Sequence, residues 1–579
     1  MNQRLPEALN IWEDDKFIPT KTNLCPIDEK GKWILNKEED QRESDVENWD
    51  KIQWCKAEQI NKMANYKIIL NEPLIEKILQ SYYLFDCYFI SAVGSLCTLK
   101  SYISKLFHIK GRSKENAYGV YLFLNGKWKL VLLDDYIPCM NNNFEKNLCF
   151  GYSLCKDFWV SLLEKAWAKV NGSYIKIGSG GECYQVFDVL TEAYTEQIYI
   201  DNPEYEERES IWKKLKEAIN HKYMVCIGSN EEDNLQSVGL MEGHAYTLID
   251  IFTEQTTKGE ERVVKLRNPY GEIEYSERWS DFDDVWTDEL KKKYNLKQNE
   301  NDGIFHMPFE EMLNYFCVIE IARIEPNYQT KICKIHKKEN IQCQVIKLEL
   351  EKKTNNFYIN LYQKNPRIIN KNGKYPQKPV LSFIMLAKLD GDNLKYIDST
   401  TSISENVMNK YDMHIMIKTD LESGTYYIFS DVNYRYIYRN NYGYTITTYS
   451  EFPVKNLRNI TKSVNVKELL KKVMYDYCIE QVEESEDSTE ELDIYQTDNS
   501  DYKLPFNSFC FNNKSDSCIK VQVKIIKEED DNNYCFYCDQ KASETDESVI
   551  KEIMPKSFES FITMPYYSIY NYQLEYELI

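Results

Sequence analysis

Apolar positions recur on a helical period over Asp157–Val170, where Phe158, Leu162, Ala166 and Val170 fall on one face and predict an amphipathic helix. Just upstream, Tyr121–Leu124 and Trp128–Leu133 read as strands around Asn125-Gly126-Lys127, a hairpin with Gly in its turn. Further on, Ala245–Phe252 and Val263–Leu266 read as strands of one sheet. From 340 to 452 short strand signals repeat, at Gln344–Leu350, Phe357–Tyr362, Val380–Ala387, His414–Ile417, Thr425–Phe429 and Tyr444–Tyr449. Turns containing Asn-Gly and Ser-Gly separate some of them, which predicts an antiparallel β-sandwich. A helical pattern at Val464–Cys478 then leads into the acidic, polar tract Glu483–Asp501, read as a solvated linker. Strand signals return in 503–579, among them Ile519–Ile526, and predict a second small β-rich domain. Residues 1–50 carry few apolar periods and read as an extension.

The chain has 579 residues, and at roughly 150 residues per domain this length suggests about four domains. Its formal net charge is −21, which disfavours nucleic acid as a partner. No apolar run is long enough to span a membrane, and Met1–Pro6 opens no apolar signal region. The 17 cysteines follow no framework spacing, so they predict reduced thiols in a cytoplasmic protein.

Three short stretches carry chemistry. Cys87, in Leu84–Leu96, falls where a loop feeds an apolar helix, and the positive end of that helix is expected to favour the thiolate. His244, in Glu242–Leu248, opens an apolar strand after a Gly. Asn268 ends another strand, where Pro269 and Gly271 force a turn, and can orient an imidazole. Singly, each reads equally as a buried Cys, a structural His and a turn Asn. Together, in this chain order, they are the nucleophile, base and orienting amide that a papain-type cysteine protease needs.

On these stretches, and on Phe158–Tyr174 and Arg278–Asp281, the chain resembles the calpain family. The resemblance is strong over about 50–322 and weak over 340–452. It implies an α+β fold, with a papain-like two-lobed core followed by a C2-like antiparallel β-sandwich. The expected domains are then the 1–50 extension, a Cys lobe at 51–193, a His/Asn lobe at 194–325, the C2-like sandwich at 326–455, a helix and acidic linker at 456–502, and a β-rich domain at 503–579. It implies an intracellular endopeptidase acting on polypeptide substrates through a Cys87 acyl-enzyme, with Cys87, His244 and Asn268 catalytic. The alternative is a catalytically impaired scaffold or regulatory binding protein. A transglutaminase-like acyltransferase is disfavoured, because such enzymes resemble a Cys/His/Asp set and Asn268 departs from it. A C2-like domain allows membrane association, but no residue pattern here supports one.

Departures from the family bear on both activity and calcium. The family has Gly and Trp where this chain has Phe85 and Tyr88, and Trp where it has Tyr270. It places its oxyanion-donating Gln at the position of Ser81, whereas this chain has Gln80 one residue earlier. Loss of one such donor costs roughly 10²–10³ in rate. The family's first core calcium site meets Lys77, Ile78 and Ile175 here and reads as lost. Glu274, Asp281 and Asp302 match carboxylates of the second site, with Ile304 replacing another, so at most one weak Ca²⁺ site is expected and no organic cofactor. No EF-hand loop spacing occurs in the sequence. Cys535-Phe536-Tyr537-Cys538 lacks a second ligand pair at zinc spacing, since Cys510 and Cys518 are oddly placed, and reads as a strand with two incidental thiols.

Overall fold

The computed structural model describes residues 14–27, 47–60, 68, 73–109, 113, 116–231, 235–296, 302–325, 327–336, 343–363, 382–402, 414–432, 443–497, 507–526, 548–563 and 571–578, without 125, 143, 144, 156 and 486. It divides into two compact units, Met1–Pro326 and Asn327–Ile579.

In the first unit the helix Cys87–Ser95 is buried along almost its whole length. The amphipathic helix spans Trp159–Asn171 and is buried on nearly every side, wider than the single apolar face read from its period. The extra burial includes Lys165, whose ammonium donates to the carbonyls of Asp134 (3.1 Å) and Tyr136 (2.7 Å) and to the Asp134 carboxylate. The predicted hairpin is present as Tyr118–Phe123 paired with Trp128–Leu133. Gly126 holds φ +71° in its turn, the conformation that favours glycine there.

A six-stranded sheet follows, in the order Ile304–Pro308, Gly259–Arg267, Ala245–Thr256, Met224–Ser229, Phe316–Arg323, Tyr194–Tyr199. Leu248, Val264, Leu266, Phe305 and Ile319 from this sheet pack with Trp212 and Leu215 of the helix Tyr205–His221 in one apolar core. The Cys87 helix lies against the sheet through small residues. Ser91 Oγ donates to the Ala245 carbonyl (2.8 Å), Thr247 Oγ1 to the Ser91 carbonyl (2.8 Å), and Val225 N–H to Ser95 Oγ (3.1 Å). A methyl added at Gly94 would come within 3.3 Å of Thr247 Oγ1, so the helix sits as close as a glycine allows.

The N-terminal extension needs correction over its described part. Asp14, Phe17, Leu24, Cys25 and Trp49 are all buried. Asp14 N–H donates to Asp134 Oδ2 (3.0 Å), and the Asp14 carboxylate pairs with Lys169. Partners far along the chain fix this segment, Lys169 by charge and Tyr174 and Phe150 by packing on Phe17 and Trp49, so a local periodicity reading misses it.

Two of the antiparallel sheets described in the second unit form its sandwich. One runs Gln329–His336, Gly443–Ser450, Thr354–Tyr362, His414–Leu421. The other runs Asn393–Thr401, Ser382–Asp390, Gly424–Val432, Gln344–Leu350, Asn456–Asn459. Ile359, Leu361 and Ile446 from the first and Leu348, Leu386 and Ile428 from the second share one core, as a sandwich requires. The acidic tract is not wholly a linker. Leu492–Thr497 is a strand paired with Asn507–Asn513, with Leu492 and Ile494 buried and Asp493 ion-paired to Lys514. The helix before it, Val466–Gln481, buries Leu470, Val473, Met474 and Cys478 against Phe383, Met385 and Phe429 of the sandwich. Ile519–Ile526 lies between Ser548–Ile553 and Asn571–Leu578 in a further three-stranded sheet. Cys535 and Cys538 lie outside the described residues.

Candidate active site

Cys87 is the first residue of its helix, and its backbone N–H belongs to the first turn, where a helix supplies no acceptor. His244 is buried immediately before the strand Ala245–Thr256, and its own N–H donates to Ser229 Oγ (2.9 Å). Asn268 is fully buried at the end of Gly259–Arg267. The backbone of its turn crowds so closely that a Cβ on Gly303, at φ +75°, would lie 2.6 Å from the Asn268 carbonyl oxygen. Ile273 also holds positive φ, 62°, which is costly for a β-branched residue. That strain turns its carbonyl to accept from Asn268 Nδ2 (3.0 Å).

The network fixes the imidazole tautomer. Asn268 Nδ2 donates to Ile273, while Asn268 Oδ1 accepts from the Tyr270 N–H (3.1 Å), so the amide orientation is set. His244 Nε2, 3.0 Å from the same Oδ1, therefore carries its hydrogen. Nδ1 is left as the basic nitrogen. The ring is held between Tyr270, stacked at 5.2 Å and 3°, and Tyr246, edge-on at 5.0 Å and 89°. Tyr82 stacks on Tyr270 at 4.3 Å, and its hydroxyl donates to the Glu272 carboxylate. No local signal pointed to Tyr82 or Ile273: one acts by stacking across 188 positions of chain, the other by a backbone angle.

Electrostatics run against the expected thiolate. Burial pushes the Cys87 thiol up to about 11, and the adjacent Asp86 adds to the rise, against donation from the Ala245 N–H. Cys87 keeps partial exposure, and desolvation is the largest influence on its thiol. Burial likewise pulls His244 down to about 4, although Asn268 opposes this. No hydrogen bond joins Cys87 to His244 among the described residues. Both shifts favour thiol and neutral imidazole over an ion pair at rest, so alkylation of Cys87 by iodoacetamide is expected to climb about tenfold per pH unit through neutrality. Peptide mapping across pH 6–10 checks this; a plateau below pH 8 would show an ion pair instead.

Asp86 is fully buried beside Glu164, and both carboxyls are raised, Asp86 to about 7, chiefly by burial. Glu164 also accepts the Gly151 N–H (2.7 Å). The altered Tyr88 is accommodated: its hydroxyl accepts from Trp167 Nε1 (3.1 Å) and donates to the Ile177 carbonyl (3.1 Å). Gln80, not Ser81, is the buried member of the alternative oxyanion pair. Its amide donates to the Leu84 carbonyl (3.0 Å), whereas Ser81 Oγ merely accepts the Tyr83 N–H (3.1 Å).

Of the calcium candidates, Glu274 accepts the Gly303 N–H (2.9 Å) and Asp302 the Ile304 N–H (3.0 Å). Burial raises Glu274 to about 7, and Asp281 and Asp302 add to it; Asp281 is raised to about 6 by burial and by Asp302. The all-oxygen donor set suits calcium, yet among the described residues no three His, Cys, Asp or Glu side chains are gathered to hold a metal. Ile78 and Ile175 are buried hydrocarbon where the other site would be. Among the described residues, no helix is long and apolar enough to cross a membrane.

A thiol at a helix start, a base one strand away and an amide orienting that base form the arrangement of a cysteine peptidase. A family model described as calpain family cysteine protease matches residues 12–323, and the chain belongs to that family. It is 32% identical to human calpain-14 over 248 residues, 42% of this chain and 35% of that protein. It is 30% identical to the calpain-type cysteine protease DEK1 of Arabidopsis thaliana over 247 residues, 42% of this chain and 11% of that protein. The rat calpain-2 catalytic subunit is 28% identical over 259 residues, 36% of its length. The chain thus spans little more than a third of these relatives at most. A solved clostridial cysteine protease, after propeptide cleavage, aligns with 9% identity and a TM-score of 0.14, over 44% of this chain and 58% of that one.

Proposed function

We propose that this chain is an endopeptidase that cleaves polypeptides through a Cys87 acyl-enzyme in a reducing, cytoplasmic setting. The observation that carries the proposal is the His244–Asn268 hydrogen bond, which leaves Nδ1 basic. In the reaction, Nδ1 takes the thiol proton as sulfur attacks the carbonyl carbon, and the Cys87 N–H and the Gln80 amide receive the oxyanion. On collapse the imidazolium gives that proton to the leaving amine. Water, deprotonated by the same nitrogen, then releases the acid and restores the thiol.

Calcium is proposed as a modest modulator that would have to draw Glu274, Asp281 and Asp302 together, relieving the repulsion among their carboxylates. The test is cleavage of an unstructured polypeptide with calcium and with chelator, together with an electrophilic peptidyl inhibitor mapped to its cysteine. Cleavage with labelling of Cys87 supports the reading; neither cleavage nor labelling in either condition favours the impaired scaffold. Titration calorimetry is expected to find one weak site, lost in Glu274→Gln with Asp281→Asn. Two tight, cooperative sites would overturn the calcium assignment.

A further inference from the structure

Two departures from the family pattern meet in space. Gln80 Nε2 lies 3.5 Å from the Tyr270 hydroxyl, and the Gln80 N–H donates to the carbonyl of Pro269, next to Tyr270 (2.8 Å). The Gln80 carboxamide oxygen meets no donor among the described residues, so its only other anchor is the Leu84 carbonyl. The Tyr270 ring is held in place: His244 and Tyr82 both stack on it, and its N–H is held by Asn268.

We propose that the Tyr270 hydroxyl is a third donor of the oxyanion hole, acting beside the displaced Gln80 and the Cys87 N–H. This rests on the protease reading above. The hydroxyl accepts from Gln80, and its own hydrogen finds no acceptor among the described residues, so it remains available to an incoming charge. Burial, reinforced by nearby Cys87 and Asp86, keeps the phenol protonated well beyond neutral pH. Without substrate the two donors lean on each other. As the C–S bond forms and the carbonyl π electrons move onto oxygen, the Tyr270 O–H rotates about its C–O bond and the Gln80 amide leans toward that oxygen; collapse returns the electrons and frees them. An indole at this position has a donor but no acceptor, so it could not receive the Gln80 amide.

Tyr270→Phe keeps the stack and the N–H and removes only the hydroxyl. In the full chain it is expected to lower kcat about 10²-fold with little change in KM. Affinity for a peptide aldehyde, whose hemithioacetal carries an oxyanion, should fall by a similar factor. Alkylation of Cys87 by iodoacetamide, which forms no oxyanion, should be unchanged. Tyr270→Trp, which restores the family ring, is expected not to recover the rate. Parent-like kcat in Tyr270→Phe, or equal loss in alkylation, overturns the inference. A parent chain that neither cleaves nor binds the aldehyde overturns the protease reading and this inference with it.

Discussion

Cys87→Ala is expected to abolish peptidase activity, a loss of about 10⁴-fold or more, while leaving the fold intact. No other described thiol stands within the His244–Asn268 constellation, and alanine cannot form the acyl-enzyme. The substitution should not unfold the helix, because its seat depends on Ser91, Ser95 and Thr247 bonding across to the sheet. The Cys87 side chain contributes only its contact with the Ala245 N–H there. His244→Ala should cost about as much, since nucleophile and base act as a unit. Asn268→Ala should cost less, because its amide orients the imidazole without touching substrate. Initial cleavage rates of the three variants, with matched thermal melts, check the ranking. Cleavage by Cys87→Ala at the parent rate would remove Cys87 from the mechanism.

The candidate set Cys87, His244 and Asn268 was legible because its chemistry leaves local marks: a Cys before a small-residue helix, a Gly-His at a strand start, an Asn-Pro turn. What burial does to those groups was not. Helix position argues for a thiolate at Cys87, yet the desolvation that lifts it to about 11 depends on protein far away in sequence. The same blindness hid the N-terminal segment, where Asp14 and Lys169 meet across 155 positions. The strand Leu492–Thr497 was masked by acidic neighbours, because a charge-rich composition says nothing about the partner strand Asn507–Asn513 that satisfies its backbone. Gln80 was separated from Ser81 only by geometry, since a shift of one position changes no local pattern.

Lys165→Met is expected to destabilise the first unit by about 3–5 kcal/mol. Both Lys165 and Asp134 are wholly buried, and the ammonium spends all three hydrogens on Asp134 and the Tyr136 carbonyl. Burial alone would pull this lysine well down; the Asp134 charge opposes that, so each ion makes the other tolerable. Removing the lysine leaves a carboxylate in an apolar setting, where Asp134 also accepts from the Asp14 and Tyr136 N–H groups and cannot turn to solvent. The loss should appear as a fall of about 10 °C in the first unit's melting temperature. The second variant, Lys165→Met with Asp134→Asn, removes the orphaned charge and keeps one oxygen to accept from the Asp14 or Tyr136 N–H, so it should melt above Lys165→Met alone. If the two melt together, the penalty lies in lost packing around Trp54, over whose ring the ammonium sits at 5.6 Å, and not in the unpaired charge.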